Sequence, residues 1–163
     1  MKPLCLLAFL LSSPAMAVPS ANVINSCLQA QAQGNVSATE IPTHEIMQED
    51  DYQPGYAANY IEFDGKDIGF ATAKKGNAIV FDGKLWPTKL AVVLPGADKV
   101  KKPLVHVELA DWLMLNEGEN QYLCVVDNFD GLGRNGSFQK YRYAYILQTG
   151  NKGGLFFSVG KAE

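Results

Sequence analysis

The amino-acid sequence predicts a mainly β protein, an antiparallel β-barrel or sandwich of about seven to nine strands with one N-terminal helix. From residue 57 onward, short runs rich in Val, Ile, Phe and Tyr recur, and these residue types favour the pleated surface of a sheet. Asp-Gly and Gly-Asn pairs separate several of the runs, and they supply the positive φ angles of tight hairpin turns. Consecutive strands joined by such turns indicate an antiparallel meander. A barrel and a two-sheet sandwich both hide sheet edges, so the pattern fits either one.

The first 17 residues have the three parts of a secretory signal peptide. Lys2 provides the positive start, residues 4–11 form an apolar core, and Ala15-Met16-Ala17 is a small-x-small cleavage site. The apolar run is too short to span a bilayer as a helix. We therefore expect a cleaved signal at residues 1–17, a single β-rich domain at residues 18–163, and a periplasmic location without a membrane anchor.

The mature chain is mildly acidic and of a size that suits one domain. Removing 17 of the 163 residues leaves 146, and the loss of Lys2 moves the formal net charge from −3 to −4. A chain of this length can bury a hydrophobic core. The absence of a basic cluster argues against binding to nucleic acid or to anionic membranes.

Two cysteines, Cys27 and Cys124, remain once the signal peptide has been removed. In an exported domain they most simply form one disulfide. That bond closes a loop of 97 residue steps, for which chain entropy predicts about 4–5 kcal/mol of stabilisation. A reactive thiol and an intermolecular bridge are the alternatives. A zinc site is disfavoured because the sequence has no CxxC and only two histidines, and we expect no metal and no cofactor.

Residues 20–34 form the one segment with a clear helical pattern. Ser20 or Asn22 can cap its start and Gly34 can end it. An apolar stripe that includes Cys27 faces the body of the protein. Residues 35–56 are polar, and we expect an extended connection with a short strand at 43–47 and a solvated loop around Glu49, Asp50 and Asp51.

The remaining strands are expected at positions bounded by turn residues. The predicted strands are residues 58–63, 67–73, 78–81, 89–94, 104–109 and 155–159, with residues 110–115 either strand or helical turn. The tetrapeptide Phe-Asp-Gly-Lys occurs twice, at 63–66 and 81–84, and looks like a reused hairpin turn.

Residues 122–148 form the segment around which the chain is organised, a long hairpin with a glycine-rich tip. The first strand carries Cys124, so a disulfide would tie the base of the hairpin to the N-terminal helix. Tyr141, Tyr143 and Tyr145 share one face of the second strand if that strand is regular. They would form a cross-strand aromatic stripe over the sheet or part of a recognition surface.

No catalytic constellation emerges from the sequence, and the chain is predicted not to be an enzyme. A Ser-His-Asp arrangement would have to use Ser137 with His44 or His106, and the G-x-S-x-G elbow is absent. Glycoside hydrolysis needs two carboxylates at a defined separation, for which Glu117, Glu119, Asp127 and Asp130 are near one another in sequence. Residues 127–131 also hint at a calcium loop; they lack the ligand spacing of an EF-hand, and a looser calcium site near Asp127 and Asp130 stays open as an alternative.

The tip of the hairpin is instead suited to contact another protein. Tyr and Arg are enriched at interface hot spots, and a loop on an anchored hairpin loses little entropy on binding. The predicted contact residues are Arg134, Asn135, Ser137, Gln139, Lys140 and Tyr141.

Residues 135–141 resemble the S-G-x-x-x-K/R-Y loop of bacterial periplasmic lysozyme inhibitors of the MliC/PliC kind. Gly136, Ser137, Lys140 and Tyr141 match, whereas Phe138 stands where a small residue is usual. In that family a small β-barrel inserts the loop into the active site of lysozyme. The general plan is also similar to that of periplasmic immunity proteins against type VI secretion effectors that degrade peptidoglycan.

These resemblances imply a periplasmic inhibitor whose partner is a peptidoglycan-degrading enzyme. The alternative is a cell-envelope β-barrel that binds a small apolar ligand in a cavity lined by residues such as Phe70, Phe81, Val92 and Trp112. A structural or adhesion module of the envelope is a third class, favoured if the protein self-associates.

Overall fold

Two sheets face each other across a hydrophobic core, and one helix covers the back of the larger sheet. The computed structural model describes residues 17–127, 141–150 and 153–161. In chain order, its helix and strands are α1 (Ala21–Leu28), β1 (Ser37–Glu40), β2 (Met47–Gln53), β3 (Tyr56–Phe63), β4 (Lys66–Thr72), β5 (Ala78–Phe81), β6 (Lys84–Pro87), β7 (Val92–Val93), β8 (Asp111–Glu117), β9 (Asn120–Asp127), β10 (Tyr141–Thr149) and β11 (Leu155–Lys161).

The large sheet has the strand order β1-β8-β9-β10-β11-β7, and the small sheet has the order β2-β3-β4-β5-β6. All neighbours are antiparallel except β7, which pairs with β11 in parallel. The fold is therefore the sandwich form of the predicted mainly β architecture, and the two sheets do not close into a barrel. The described residues form eleven strands, more than the seven to nine expected, since short edge strands such as β1 and β7 leave little periodicity in the sequence.

The central strands of the large sheet are buried on both faces. Along β9, Leu123 and Val125 point into the core between the sheets, whereas Cys124 and Val126 point to the opposite face. Val23, Cys27 and Leu28 of α1 cover that opposite face. This arrangement explains why the hairpin strands are continuous apolar runs in the sequence rather than alternating ones.

The helix ends earlier than the sequence predicted. Ser20 caps its start, with Oγ accepting a hydrogen bond from the Val23 amide at 3.2 Å. Its end is a Schellman motif, in which Ala30 has φ 52° and the amides of Ala30 and Gln31 donate to the carbonyls of Cys27 and Ser26. The helix stops at Leu28 because of this local turn, six residues before Gly34.

Three further predictions are wrong in detail. They are the strands at 43–47 and 89–94 and the loop around Glu49–Asp51. The acidic residues lie within β2, which is an edge strand, where charge discourages pairing with other chains. Residues 88–90 form a 3-10 turn, and only Val92–Val93 pairs as β7.

The predicted strand at residues 104–109 is not formed. Val105 and Val107 are buried, as the alternation predicted, but Leu109 is 48 % exposed. These residues belong to an irregular connection, residues 94–110, which we call the strap. It packs against the core through Ala97, Val105 and Val107, so the apolar alternation reflects burial without a neighbouring strand.

Both Phe-Asp-Gly-Lys turns form as predicted. Phe63 pairs with Lys66 and Phe81 pairs with Lys84. The Asp and Gly between them have φ angles of 53° and 70° in the first turn and 52° and 69° in the second. Two successive positive φ angles are the signature of a type I′ hairpin turn.

The small sheet buries a second, minor core on its outer face. A bulge in β2 between Glu49 and Gln53 lets the Tyr52 hydroxyl donate to Asp67 Oδ2 on β4 at 2.9 Å. Gln53 Nε2 donates to the Gly83 carbonyl at 2.9 Å, in the turn between β5 and β6. The end of β2 therefore covers the small residues Ala58, Ala71 and Ala78. In the described part of the chain, no helix has the length and apolar character needed to cross a membrane.

Candidate functional site: the anchored hairpin

The hairpin strands β9 and β10 occupy the centre of the large sheet. They pair from Gln121 and Thr149 at one end to Asp127 and Tyr143 at the other. Strand β10 continues to Tyr141, which pairs with Lys161 of β11. The segment that joins the two strands therefore begins and ends at the edge of a rigid platform that is supported on both sides by neighbouring strands.

The Cys27–Cys124 disulfide fixes this platform to the helix, as the sequence predicted. The two Cα atoms lie 5.5 Å apart, and both side chains are fully buried. Cys124 is opposite Ile146 of β10 and Leu113 of β8, so the covalent bond reaches the middle of the sheet.

Arg142 forms a second link between the hairpin and the helix. Its Nη1 donates to the Leu28 carbonyl at 3.0 Å, at the C-terminal end of α1, where the helix dipole favours a positive charge. Gly160 on the adjacent strand leaves room for Leu28, because a Cβ there would lie 2.8 Å from Leu28 Cδ1. The helix is thus held against β10 and β11 near the start of the hairpin tip.

Tyr143 and Tyr145 belong to the core and are not part of an exposed tyrosine surface. Their side chains are 9 % and 1 % exposed. The Tyr145 ring packs on Phe157 with centroids 5.1 Å apart, and its hydroxyl donates to the Pro103 carbonyl of the strap at 3.3 Å. Burial raises the pKa of Tyr145 above its usual value. For these two residues the aromatic-stripe interpretation is the one the structure supports.

Tyr141 differs from the other two tyrosines of the stripe, because its side chain is 48 % exposed. It is the one predicted contact residue within the described part of the chain. The other predicted contact residues lie outside the described residues, namely Arg134, Asn135, Ser137, Gln139 and Lys140.

Among the described candidate carboxylates, Asp127 lies far from Glu117 and Glu119. Glu117 ends β8 and Glu119 lies in the turn before β9, whereas Asp127 is the last residue of β9, so the length of that strand separates them by about 24 Å. Paired glycosidase carboxylates are less than about 10 Å apart. Glu117 instead accepts a hydrogen bond from Ser20 Oγ at 2.7 Å, and Asp127 is buried and has an interaction partner. Asp130 and Ser137 lie outside the described residues.

Three of the four residues proposed to line an apolar ligand cavity are buried core side chains, and the fourth lies at a sheet edge. Phe70, Phe81 and Trp112 are buried side chains of the core between the sheets, and Trp112 Nε1 donates to the Val107 carbonyl at 3.0 Å. Val92 is 39 % exposed on the edge strand β7. Within the described residues, no group of three or more His, Cys, Asp or Glu side chains is placed to hold a metal ion.

The strap is the feature near the hairpin that sequence reasoning missed. Lys102 Nζ donates to the carbonyls of Thr88 and Ala91 at 2.9 and 3.1 Å and lies 5.9 Å from the centre of the Phe157 ring. Burial lowers the pKa of this lysine. Trp112 and Tyr145 hold the strap through backbone carbonyls, and contacts of this kind leave no pattern in the sequence.

The fold and the anchored hairpin define the class of protein: a disulfide-bonded β-sandwich with a helix fixed to its larger sheet. Comparisons with protein-family models, curated proteins and solved structures found no match.

Proposed function

We propose that this chain is a non-catalytic periplasmic inhibitor that blocks a peptidoglycan-degrading enzyme by inserting the segment between β9 and β10 into its active-site cleft. It would act as an immunity protein against a secreted effector or as a lysozyme inhibitor. The observation that carries the proposal is the double anchoring of the hairpin, by the Cys27–Cys124 disulfide and by the Arg142–Leu28 hydrogen bond.

Anchoring matters because a protein inhibitor loses affinity when its contact segment must be ordered on binding. Both strands that carry the segment are central in the large sheet. A rigid base therefore restricts where the segment can be and reduces the entropy lost when it enters a cleft.

Charge supports the same proposal. The protein has a net charge of −3, yet residues 128–140, between β9 and β10, contain two basic residues, Arg134 and Lys140, against one acidic residue, Asp130. Lys161 is exposed beside Tyr141. Clefts that hydrolyse glycosidic bonds carry paired carboxylates, so a locally basic tip on an acidic protein is complementary to such a site.

The disulfide supports a location outside the cytoplasm. Disulfides persist in oxidising compartments such as the periplasm, and residues 1–17 have the pattern of a cleaved secretory signal. Peptidoglycan-degrading enzymes act in that compartment, where the inhibitor would meet them.

An inhibition assay tests the proposal directly. Purified chain 18–163 is mixed with a panel of muramidases and peptidoglycan amidases, and the release of soluble peptidoglycan fragments is measured. We expect stoichiometric inhibition of at least one enzyme. The double variant Ser137→Arg with Tyr141→Glu should abolish that inhibition while the free energy of unfolding stays within about 1 kcal/mol of the wild type, because Tyr141, the described member of the pair, is exposed and changes at exposed residues are usually that small.

The matched control makes the same charge changes at the opposite end of the large sheet. Asn120→Arg with Ser37→Glu alters two exposed residues, the first of β9 and the first of β1, and inhibition should be unchanged. Full inhibition by the Ser137/Tyr141 variant would show that the tip is not the contact segment. A lack of inhibition across the panel would reject this class of partner.

A further inference from the structure

A pocket of about 210 Å³ lies between the strap and one end of the small sheet. Three strands and the strap contribute its lining. The lining residues are Gln48, Ala57, Ala58, Asn59, Phe70, Thr72, Leu104, Val105 and His106.

The pocket wall that the strap forms is held in place at both of its ends. Pro103, just before the lining residues, accepts a hydrogen bond from Tyr145 at 3.3 Å. Val107, just after them, accepts one from Trp112 at 3.0 Å. Both donors are buried residues of the large sheet, so the pocket wall formed by residues 104–106 is preformed and need not be ordered when a ligand binds.

The polar side chains of the pocket are all neutral hydrogen-bonding groups, apart from the titratable His106. Gln48 pairs directly with Asn59 across β2 and β3, which places their Cβ atoms about 5 Å apart on one face. Thr72 lies on the neighbouring strand β4, opposite Ala57. Within the described part of the chain, no side-chain hydrogen bond engages Gln48, Asn59 or Thr72. Two amides and a hydroxyl thus offer donors and acceptors together.

The volume and the remaining walls limit the class of ligand. A cavity of about 150 Å³ holds benzene, and drug-sized ligands need roughly 300–1,000 Å³, so this pocket suits a molecule with one six-membered ring. Phe70 and Val105 provide apolar walls. No Asp, Glu, Lys or Arg is among the lining residues, so a charged ligand would lose hydration without gaining an ion pair.

We propose that this pocket is a binding site for an uncharged, hydroxyl-rich ring of the size of one hexose. The Gln48 and Asn59 amides and the Thr72 hydroxyl bind its hydroxyl groups, while Phe70, Val105 and Leu104 contact its apolar face. The site does not depend on the inhibitor function proposed above, because none of its lining residues belongs to the hairpin.

The test is a titration of chain 18–163, followed by the amide NMR signals, with four probes of similar ring size. The probes are glucose, glucuronate, glucosamine and cyclohexanol at pH 6.0, where glucuronate carries a negative charge and glucosamine a positive one. We expect glucose to give saturable shifts at Asn59, Thr72 and His106. The two charged probes and cyclohexanol should bind about tenfold more weakly or worse, the factor expected when one hydrogen-bonding group is left unpaired.

Two variants separate this pocket from other surfaces. Ala57→Trp fills the pocket and should remove the glucose response, and Thr72→Val should weaken it about threefold to tenfold. The matched control is Thr39→Val, since Thr39 is an exposed strand threonine that lines a groove of about 380 Å³ elsewhere on the protein. This control should bind glucose like the wild type.

Several results would overturn the proposal. One is that glucose up to about 100 mM gives no saturable shift, and another is that the shifts centre on other residues. The proposal is also wrong if cyclohexanol or a charged probe binds as tightly as glucose, or if Thr72→Val and Thr39→Val weaken glucose binding equally. If Ala57→Trp does not fold, the Thr72→Val and Thr39→Val pair still decides the question. Because inhibition is measured separately, a negative titration leaves the inhibitor proposal unaffected.

Discussion

Gly69 shows how strongly a single position can constrain the sheet. It lies in β4 opposite Tyr60 of β3, and a Cβ added there would come within 2.1 Å of the Asn59 carbonyl oxygen and 2.6 Å of Tyr60 Cα. The Tyr60 ring packs on Tyr52, with centroids 5.2 Å apart. The missing side chain therefore permits a close approach of two strands beneath a pair of tyrosines.

Gly69→Ala should lower the free energy of unfolding by about 3 kcal/mol, because the atoms in the way are backbone atoms that cannot turn aside. Gly160→Ala is the matched comparison. Its nearest obstacle is the flexible end of Leu28 at 2.8 Å, so the loss should stay below about 1 kcal/mol. Urea unfolding followed by fluorescence measures both values, and equal losses would contradict the explanation.

The raised pKa of the Tyr145 hydroxyl allows us to predict how the stability of the protein changes at alkaline pH. Burial raises its pKa in the folded protein, whereas in the unfolded chain it is about 10. Above pH 10 the unfolded state loses a proton that the folded state keeps, so stability is complete below pH 10 and falls as the pH rises further. Tyr145→Phe should make this fall less steep. Unfolding free energies at pH 9, 10 and 11 provide the check, and an unchanged slope would be inconsistent with it.

For single residues, the sequence predicts features with local causes well and contacts between distant segments of the chain poorly. The two Asp-Gly turns and the Ser20 cap were predictable because their causes lie within a few residues. The hydrogen bonds from Gln53 to Gly83 and from Lys102 to Thr88 and Ala91 join distant segments. They depend on the bulge in β2 and the path of the strap, and neither has a local signature.

The elements are joined by a few side chains that fix how they pack. The helix, predicted from its cap and apolar stripe, is held by a disulfide to β9 and a hydrogen bond from β10. The strap was predicted in part as a strand because Val105 and Val107 alternate with polar residues. It is not a strand, since in the described part of the chain none of the strands pairs with it.

Removal of the disulfide tests the link between helix and hairpin. Cys27→Ala with Cys124→Ala should lower the free energy of unfolding by about 3–5 kcal/mol, since the bond closes a loop of 97 residues. Guanidinium unfolding of the variant and of the oxidised wild type measures the difference. A loss under about 1 kcal/mol would show that packing alone holds the helix.

Lys102→Met tests the strap as a unit. The substitution removes both hydrogen bonds to the Thr88 and Ala91 carbonyls but keeps the apolar stem. We expect faster amide hydrogen exchange across residues 88–110, whereas the core strands β9 and β10 remain protected, because local opening needs less free energy than global unfolding. Uniform loss of protection in all strands would contradict a local role.

At the scale of the whole molecule, the described residues form three layers, with the large sheet in the middle. One of its faces packs on the small sheet and the other on α1. The sequence predicts the strand-rich class because runs of β-prone residues recur between turn pairs such as Asp-Gly. Whether the sheets form a sandwich or a barrel depends on how the edge strands pair. Two of the edge strands, β1 and β7, have only four and two residues, so the sequence carries little information about their pairing.

Removing the helix should expose the back of the large sheet. A chain starting at residue 35 with Cys124→Ala uncovers Leu113, Leu115 and Ile146, which α1 covers in the intact protein. We expect self-association and binding of a hydrophobic dye, because exposed apolar patches of this size promote aggregation. Light scattering after gel filtration is the measurement. Chain 18–163 with Cys27→Ala/Cys124→Ala is the control and should keep the oligomeric state of the wild type.

The position of α1 in the chain also determines the order in which the protein can fold. The helix is the first described element to be synthesised, yet the surface that it covers consists of β8 to β11, the last four strands. Contacts so distant in sequence form slowly, and chains that emerge N-terminus first must wait for them. The apolar face of the helix therefore has no sheet to pack on until these last strands have emerged. Cys27 likewise has no disulfide partner within residues 18–163 until residue 124 has emerged. The Cys27–Cys124 bond can therefore form only after β1 to β8 have emerged.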